Sequence, residues 1–136
     1  MRAIAITHAI AVALSICLAS AASLTVNATP EARSRGRLQR IGTATGALED
    51  GATGTHLLPL TRGREHRVVA ACEGACGDMT LRLFSPAGVE LVWNTAPAAI
   101  PEVATVPSGT GRYRVDVTMA RCAAARCGYS LIVFAR

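Results

Sequence analysis

Four cysteines carry the clearest chemical signal in this sequence. They form two close pairs, Cys72 with Cys76 and Cys122 with Cys127, whereas Cys17 stands alone near the N-terminus. An even number of cysteines in a short exported chain is typical of disulfides. The spacing favours two local rings, Cys72–Cys76 and Cys122–Cys127, and the alternative is long-range pairing between the two groups.

The same residue types offer little support for a bound metal. Structural zinc sites favour a C-x2-C spacing that this chain lacks, and thiolates oxidise in an exported protein. Glu73 and Asp78 flank the first cysteine ring, but two carboxylates are few for calcium, which takes six to eight oxygen ligands. We therefore predict no metal and no cofactor, and we expect Asp78 to cap a turn by accepting backbone N–H groups.

No catalytic motif surrounds the histidines and serines of the chain. A nucleophile needs a base within reach, and the candidate bases are His56 and His66. Neither a G-x-S-x-G elbow, an HExxH pair nor a phosphate-binding glycine loop is present. We expect both histidines at surface or edge positions and predict a protein without catalytic activity. The alternative is a small secreted enzyme or inhibitor whose site has no recognisable motif.

The arginines are the other candidate binding groups. Every basic residue is an arginine, and the formal net charge of +5 is spread along the chain, which does not indicate nucleic-acid binding. If their strands are neighbours, Arg82, Arg112 and Arg114 would line one face and could bind carboxylate, sulfate or phosphate. Arg67 and Phe134 could extend this face. The alternative is that Glu90 and Asp116 simply pair with the arginines.

The first residues have the pattern of a secretory signal peptide, residues 1–28. Arg2 is followed by an apolar stretch over 10–19 and then by small residues suited to cleavage. The alternatives are an uncleaved N-terminal anchor and a lipoprotein modified at Cys17, which the bulky Ile16 disfavours. No other stretch is long enough to cross a membrane. We predict a secreted or periplasmic protein, monomeric and free of the membrane after cleavage.

The elements that must position these residues are β-strands. Residues 29–40 are polar and aperiodic and predict a flexible segment, whereas 41–136 alternate with a period of two, as half-buried strands do. The alternation places Trp93, Tyr113 and Tyr129 in the core. The turn 85–88, with Pro86 at its second position, predicts a hairpin between 79–84 and 89–94. Seven or eight short strands separated by turns indicate an all-β sandwich or barrel.

Three segments resemble the bacterial pre-peptidase C-terminal (PPC-type) domain. They are Gly46-Ala47-Leu48 with the strands that follow it, the stretch from Asp78 to Gly88, and Ser108-Gly109 leading to Tyr113-Arg114-Val115-Asp116-Val117. The resemblance covers about residues 42–135 and implies a jelly-roll-like antiparallel β-sandwich. Thr80 and Ser85 stand where the family motif has acids, so the calcium ligands of some relatives are not carried over.

The resemblance also implies a role. PPC-type domains occur beside secreted peptidases and as stand-alone exported modules, and no peptidase domain accompanies this sequence. We therefore predict a non-catalytic secreted binding or accessory module. Its expected partner is a secreted protein or a cell-envelope polymer.

Overall fold

The computed structural model describes residues 36–136. The predicted signal peptide, residues 1–28, lies outside the described residues, as does most of the predicted flexible segment 29–40. The first strand begins at Gln39, two residues before the predicted start of the sandwich. Within the described part of the chain, no helix is long and apolar enough to cross a membrane.

Eight strands account for most of the described chain. They are β1 (Gln39–Leu48), β2 (Thr53–Leu60), β3 (His66–Cys72), β4 (Cys76–Phe84), β5 (Glu90–Trp93), β6 (Glu102–Thr105), β7 (Gly111–Cys122) and β8 (Cys127–Ala135). The turns between them use glycines in the left-handed region at Gly51, Gly63, Gly74 and Gly88. Glycine adopts this conformation without the steric penalty of a Cβ atom.

The strands form two four-stranded sheets. Sheet A has the order β1-β8-β3-β6, sheet B has the order β2-β7-β4-β5, and neighbouring strands are antiparallel. Successive strands change sheet except at the β4–β5 hairpin, which gives the strand order of an eight-stranded jelly roll. The predicted all-β, jelly-roll-like sandwich is therefore confirmed.

The core lies between the inner faces of the two sheets. Alternate residues of β3, β4, β7 and β8 point inward, as their sequence alternation predicts. The largest apolar side chains with almost no exposed surface are Leu60, Met79, Leu81, Leu83, Met119 and Leu131. Each contributes roughly 1.5–3 kcal/mol by leaving water, so a core of this size supports one domain.

The inward phase of β5 differs from the prediction. Alternation predicts Trp93 in the core, but this residue is 48% exposed, and Val89 and Leu91, which share its phase, are exposed as well. Val92 packs against the core instead, because it lies opposite the inward-facing Leu83. An irregularity in pairing after Leu83 sets this register. Since β5 has apolar residues on both phases, the sequence alone could not assign its inner face.

The turn that joins β4 to β5 forms as predicted. The backbone N–H of Gly88 donates to the carbonyl of Ser85 at 2.9 Å, and Gly88 has a φ of 84°. The Ser85 hydroxyl accepts the N–H of Val89 at 3.1 Å. This hairpin fixes β5 at the edge of sheet B.

Both disulfides are the local rings that the spacing favours, Cys72–Cys76 and Cys122–Cys127. Their Cα atoms are 5.4 Å and 5.8 Å apart, within the range that a disulfide spans. The first ring joins β3 of sheet A to β4 of sheet B, and the second joins β7 of sheet B to β8 of sheet A. Each disulfide therefore links the two sheets at a short connection.

Candidate partner-binding face

The outer face of sheet B carries arginines between aromatic rings. Its central residues are Arg82 and Phe84 of β4, Trp93 of β5, and Arg112 and Arg114 of β7, here called the arginine–aromatic face. They point outward because the residues that alternate with them fill the core. Backbone register places Arg82 opposite Trp93 and Phe84 opposite Arg114.

Two of the guanidinium groups lie over aromatic rings. The Arg114 guanidinium carbon is 4.0 Å from the centroid of Phe84, and that of Arg82 is 6.0 Å from the centroid of Trp93. A guanidinium within about 6 Å of a ring is attracted by the negative face of the ring. The stacking restrains both arginine side chains while leaving 54% of Arg82 and 42% of Arg114 exposed.

Acidic neighbours compensate part of this positive charge. Arg82 Nε lies 3.6 Å from a Glu90 carboxylate oxygen, and Arg114 Nε lies 3.3 Å from Asp116. Asp116 also accepts the Thr55 hydroxyl at 2.9 Å, so its carboxylate is shared. Arg112 is exposed, and its side chain has neither a hydrogen-bond nor an ion-pair partner within residues 36–136. The face therefore carries one uncompensated guanidinium.

The Arg114 side chain is incompletely satisfied. Its Nε atom is buried and makes no hydrogen bond, although an Asp116 oxygen lies 3.3 Å away. Leaving a charged donor unpaired costs more than an ordinary hydrogen bond contributes. Leu57 of β2, which lies opposite Arg114, is 53% exposed, and Leu91 of the edge strand β5 is 44% exposed.

The structure brings together the three arginines singled out from the sequence. Arg82 belongs to β4, and Arg112 and Arg114 belong to the neighbouring strand β7. Arg67 and Phe134 lie instead on β3 and β8 of sheet A, so they do not extend this face. Arg67 forms ion pairs there with Glu65 at 3.0 Å and Glu102 at 2.8 Å. The binding role of Arg82, Arg112 and Arg114 stays a prediction.

The sequence did not predict that aromatic rings belong to this face. Trp93 was expected in the core, and Phe84 was not connected with any arginine. The outward phase of Phe84 follows the alternation of β4, whereas that of Trp93 depends on how β5 pairs with β4, which is a non-local property. The available signal was that Arg82 and Phe84, two residues apart, share the outward phase of β4.

His56 contacts a tyrosine and not a carboxylate. Its Nε2 atom lies 2.7 Å from the Tyr129 hydroxyl, and the two rings meet edge to face with their centroids 5.8 Å apart. Partial burial lowers the pKa of His56 and raises the pKa of Tyr129. Both shifts favour the neutral forms. The pair joins β2 of sheet B to β8 of sheet A and does not present an activated nucleophile.

His66 is buried, contrary to the expected surface or edge position. Only 1% of its surface is exposed. Its Nδ1 lies 3.0 Å from the Arg64 carbonyl, and its Nε2 accepts the backbone N–H of Thr61 at 3.4 Å. One nitrogen donates and the other accepts, which is the pattern of a neutral imidazole. Burial lowers the pKa of His66 accordingly.

The acids beside the first disulfide make contacts within the protein. Asp78 accepts hydrogen bonds from Arg121, which is an ion pair across β4 and β7, and not the turn cap expected from sequence. Glu73 accepts the hydroxyl of Ser130. Across residues 36–136, no three histidine, cysteine, aspartate or glutamate side chains group as metal ligands would.

Comparison with known proteins identifies no family for this chain. No family model matches it, and no curated protein matches it by sequence. Among solved structures, the chain is similar to PliG of Aeromonas hydrophila, a periplasmic lysozyme inhibitor of g-type lysozyme. The two share 15% sequence identity with a TM-score of 0.49, over 70% of this chain and 85% of that one. At this level of similarity, no property of PliG transfers to this protein.

The covalent framework identifies the compartment. Disulfides form and persist in oxidising environments and are rare in the cytosol. All four cysteines of the described chain are joined in Cys72–Cys76 and Cys122–Cys127. The protein is therefore secreted or periplasmic.

Proposed function

We propose that this protein is a non-catalytic, secreted binding module of the PPC type, which holds a secreted protein against its arginine–aromatic face. The observation that carries the proposal is the stacking of Arg82 and Arg114 over Trp93 and Phe84 on one exposed sheet face. Tryptophan and arginine dominate the binding energy of protein interfaces. Here stacking restrains the arginines before the partner arrives, which lowers the entropy lost on binding.

The shape of the face favours a protein partner. The outer surface of a β-sheet is open, whereas small-molecule sites are concave. The unpaired Arg112 guanidinium offers N–H groups to carboxylates on such a partner. Exposed Leu57 and Leu91 provide apolar contact at its rim.

The histidines provide no support for the alternative of an enzyme. His56 is bonded to the buried Tyr129 hydroxyl, whose pKa is raised, so the phenol is not activated. His66 is enclosed by backbone groups of its own loop. Neither side chain lines the apolar groove formed by Ile41, Leu57 and Pro59.

Affinity capture tests the proposal. The protein is immobilised and exposed to the proteins exported by its own organism, and captured partners are identified by mass spectrometry. Arg82→Ala combined with Arg114→Ala removes both stacked guanidinium groups, and we expect it to weaken capture at least about tenfold. Binding to isolated envelope polymers, with no captured protein, would contradict the choice of a protein partner.

A charge-matched control separates this effect from a general loss of positive charge. Arg64→Ala combined with Arg67→Ala also removes two arginines, but Arg67 lies in sheet A and Arg64 in the loop before it. We expect this variant to capture the partner as the wild type does. Equal losses in both double variants, or no loss in the first, would reject the arginine–aromatic face as the binding surface.

A further inference from the structure

The four edge strands of the sandwich differ in how well they are protected against pairing with another chain. β2 contains Pro59, and β5 and β6 have only four residues each, with Pro101 directly before β6. Prolines and short length are the usual means of blocking a sheet edge. β1 has ten residues, its pairing irregularity is confined to Arg40–Gly42, and its stretch 42–48 contains neither a proline nor a charged side chain. β1 is therefore the least protected edge.

An apolar groove runs beside this edge. It has a volume of about 210 Å³ and is lined by residues of β1, β2 and β8, among them Ile41, Ala44, Leu57, Pro59 and Val133. Ile41 is 47% exposed and Leu57 is 53% exposed. A strand added to β1 would cover part of this surface, and removing apolar area from water favours association.

The two ends of β1 carry opposite charges. Arg40 lies at its N-terminal end, and Glu49 follows directly after its last residue, Leu48. Both side chains are exposed, and neither forms a hydrogen bond or ion pair within the described part of the chain. Two copies of β1 in antiparallel register would bring Arg40 of each copy towards Glu49 of the other, since a two-fold axis repeats every contact.

We propose that β1 is a self-association edge, and that it pairs antiparallel with β1 of a second copy of this chain. The pairing would join the two copies of sheet A into one eight-stranded sheet. Backbone hydrogen bonds along 42–48 supply affinity, and the charges at the two ends set the register and favour this partner over others. The arginines and rings of the arginine–aromatic face belong to sheet B, whereas this edge belongs to sheet A, so this inference does not rest on the proposed function.

Charge reversal at the two ends tests this arrangement. The exported protein is examined by sedimentation equilibrium over a range of concentrations, and we expect its mass to rise to that of a dimer. Arg40→Glu alone and Glu49→Arg alone each oppose like charges at both ends of the interface. We expect either change to raise the dissociation constant at least about tenfold.

Mixing the two variants supplies the decisive measurement. In a heterodimer of R40E with E49R, both ends pair a glutamate with an arginine, so the mixture should recover the affinity of the wild type. The double variant R40E/E49R should recover it as well. Arg64→Glu, in an exposed loop away from β1, is the control and should dimerise normally.

Three outcomes would overturn the proposal. If the wild type remains monomeric at every concentration, the proposed interface does not form. If R40E alone and E49R alone each associate as strongly as the wild type, the dimer interface lies elsewhere on the molecule. Failure of the equimolar mixture to recover affinity, when both variants fold as judged by circular dichroism, shows that these two residues do not face each other.

Discussion

Two neutral histidines couple the stability of this protein to pH. Burial holds the pKa of His66 and that of His56 below the ordinary value of 6.5. Above about pH 6.5 both residues are neutral in the folded and unfolded chains, and their stabilising contribution is fully present. Below that pH the unfolded chain binds protons that the folded protein excludes, so stability falls until the lowered folded pKa is reached.

Urea unfolding between pH 7.5 and pH 5 measures this coupling. The free energy of unfolding should fall with decreasing pH by at most about 1.4 kcal/mol per pH unit for each histidine. His66→Gln should remove much of the slope, and His56→Gln should remove a further part. Hydrogen bonds to Arg67 and Arg136 lower the pKa of the Glu65 carboxyl. This group therefore adds to the pH dependence of stability only below its ordinary pKa of 4.5. A slope that persists in the double histidine variant would contradict this assignment.

A close contact between Gly46 and Tyr129 predicts that a larger residue at position 46 destabilises the protein. The Tyr129 side chain crosses the sandwich over this glycine, and a Cβ atom at position 46 would lie 2.8 Å or less from its ring. Gly46→Ala should therefore cost about 1–3 kcal/mol, as overpacking of a core does. Gly42→Ala is the matched control, because it lies in the same strand and has nothing within 4 Å of the added carbon. Equal unfolding midpoints for the two variants would refute the contact.

At the scale of elements, the disulfides act as short links between sheets. The chain passes from sheet A to sheet B at Cys72–Cys76 and returns at Cys122–Cys127. Cys76 and Cys122 are directly opposite each other in the β4–β7 pair, so the two rings are side by side at one end of the sandwich. The rings are small, and hence each removes little entropy from the unfolded chain.

Removing one ring should therefore weaken the domain without unfolding it. Cys122→Ser with Cys127→Ala should lower the free energy of unfolding by about 2 kcal/mol. The melting temperature should fall by roughly 8–16 °C in a domain of this length, whereas the far-ultraviolet circular dichroism spectrum should remain that of a β-protein. A variant that is unfolded at 25 °C would contradict the interpretation of these rings as local links.

At the scale of the whole molecule, the single tryptophan of the chain reports on the arginine–aromatic face. Trp93 is 48% exposed and lies beside Arg82. Its fluorescence in the free protein should be quenched readily by acrylamide. Partner binding at this face should reduce quenching and shift the emission to shorter wavelength, because the indole leaves water. A captured partner that leaves Trp93 equally accessible would bind elsewhere.

Local chemistry was sufficient to predict most of the architecture. Alternation predicted the inner faces of β4 and β7 most directly, because their other phase carries charged residues such as Arg82, Arg114 and Asp116. Close spacing gave the pairing of the cysteines, since neighbours in sequence meet first in space. The resemblance to PPC-type domains implied a jelly roll, and the observed strand order is that of a jelly roll.

Only the tertiary structure decided which residues meet across strands. Trp93 faces solvent because Val92 is held opposite Leu83, and His66 is buried because its loop closes over it. The stacking of Arg114 on Phe84 joins residues 30 positions apart through the β4–β7 register. The exposed edge of β1 likewise follows from the strand order of sheet A. A residue's own neighbourhood in sequence specifies its strand and phase, but register and sheet order arise from packing of the whole core.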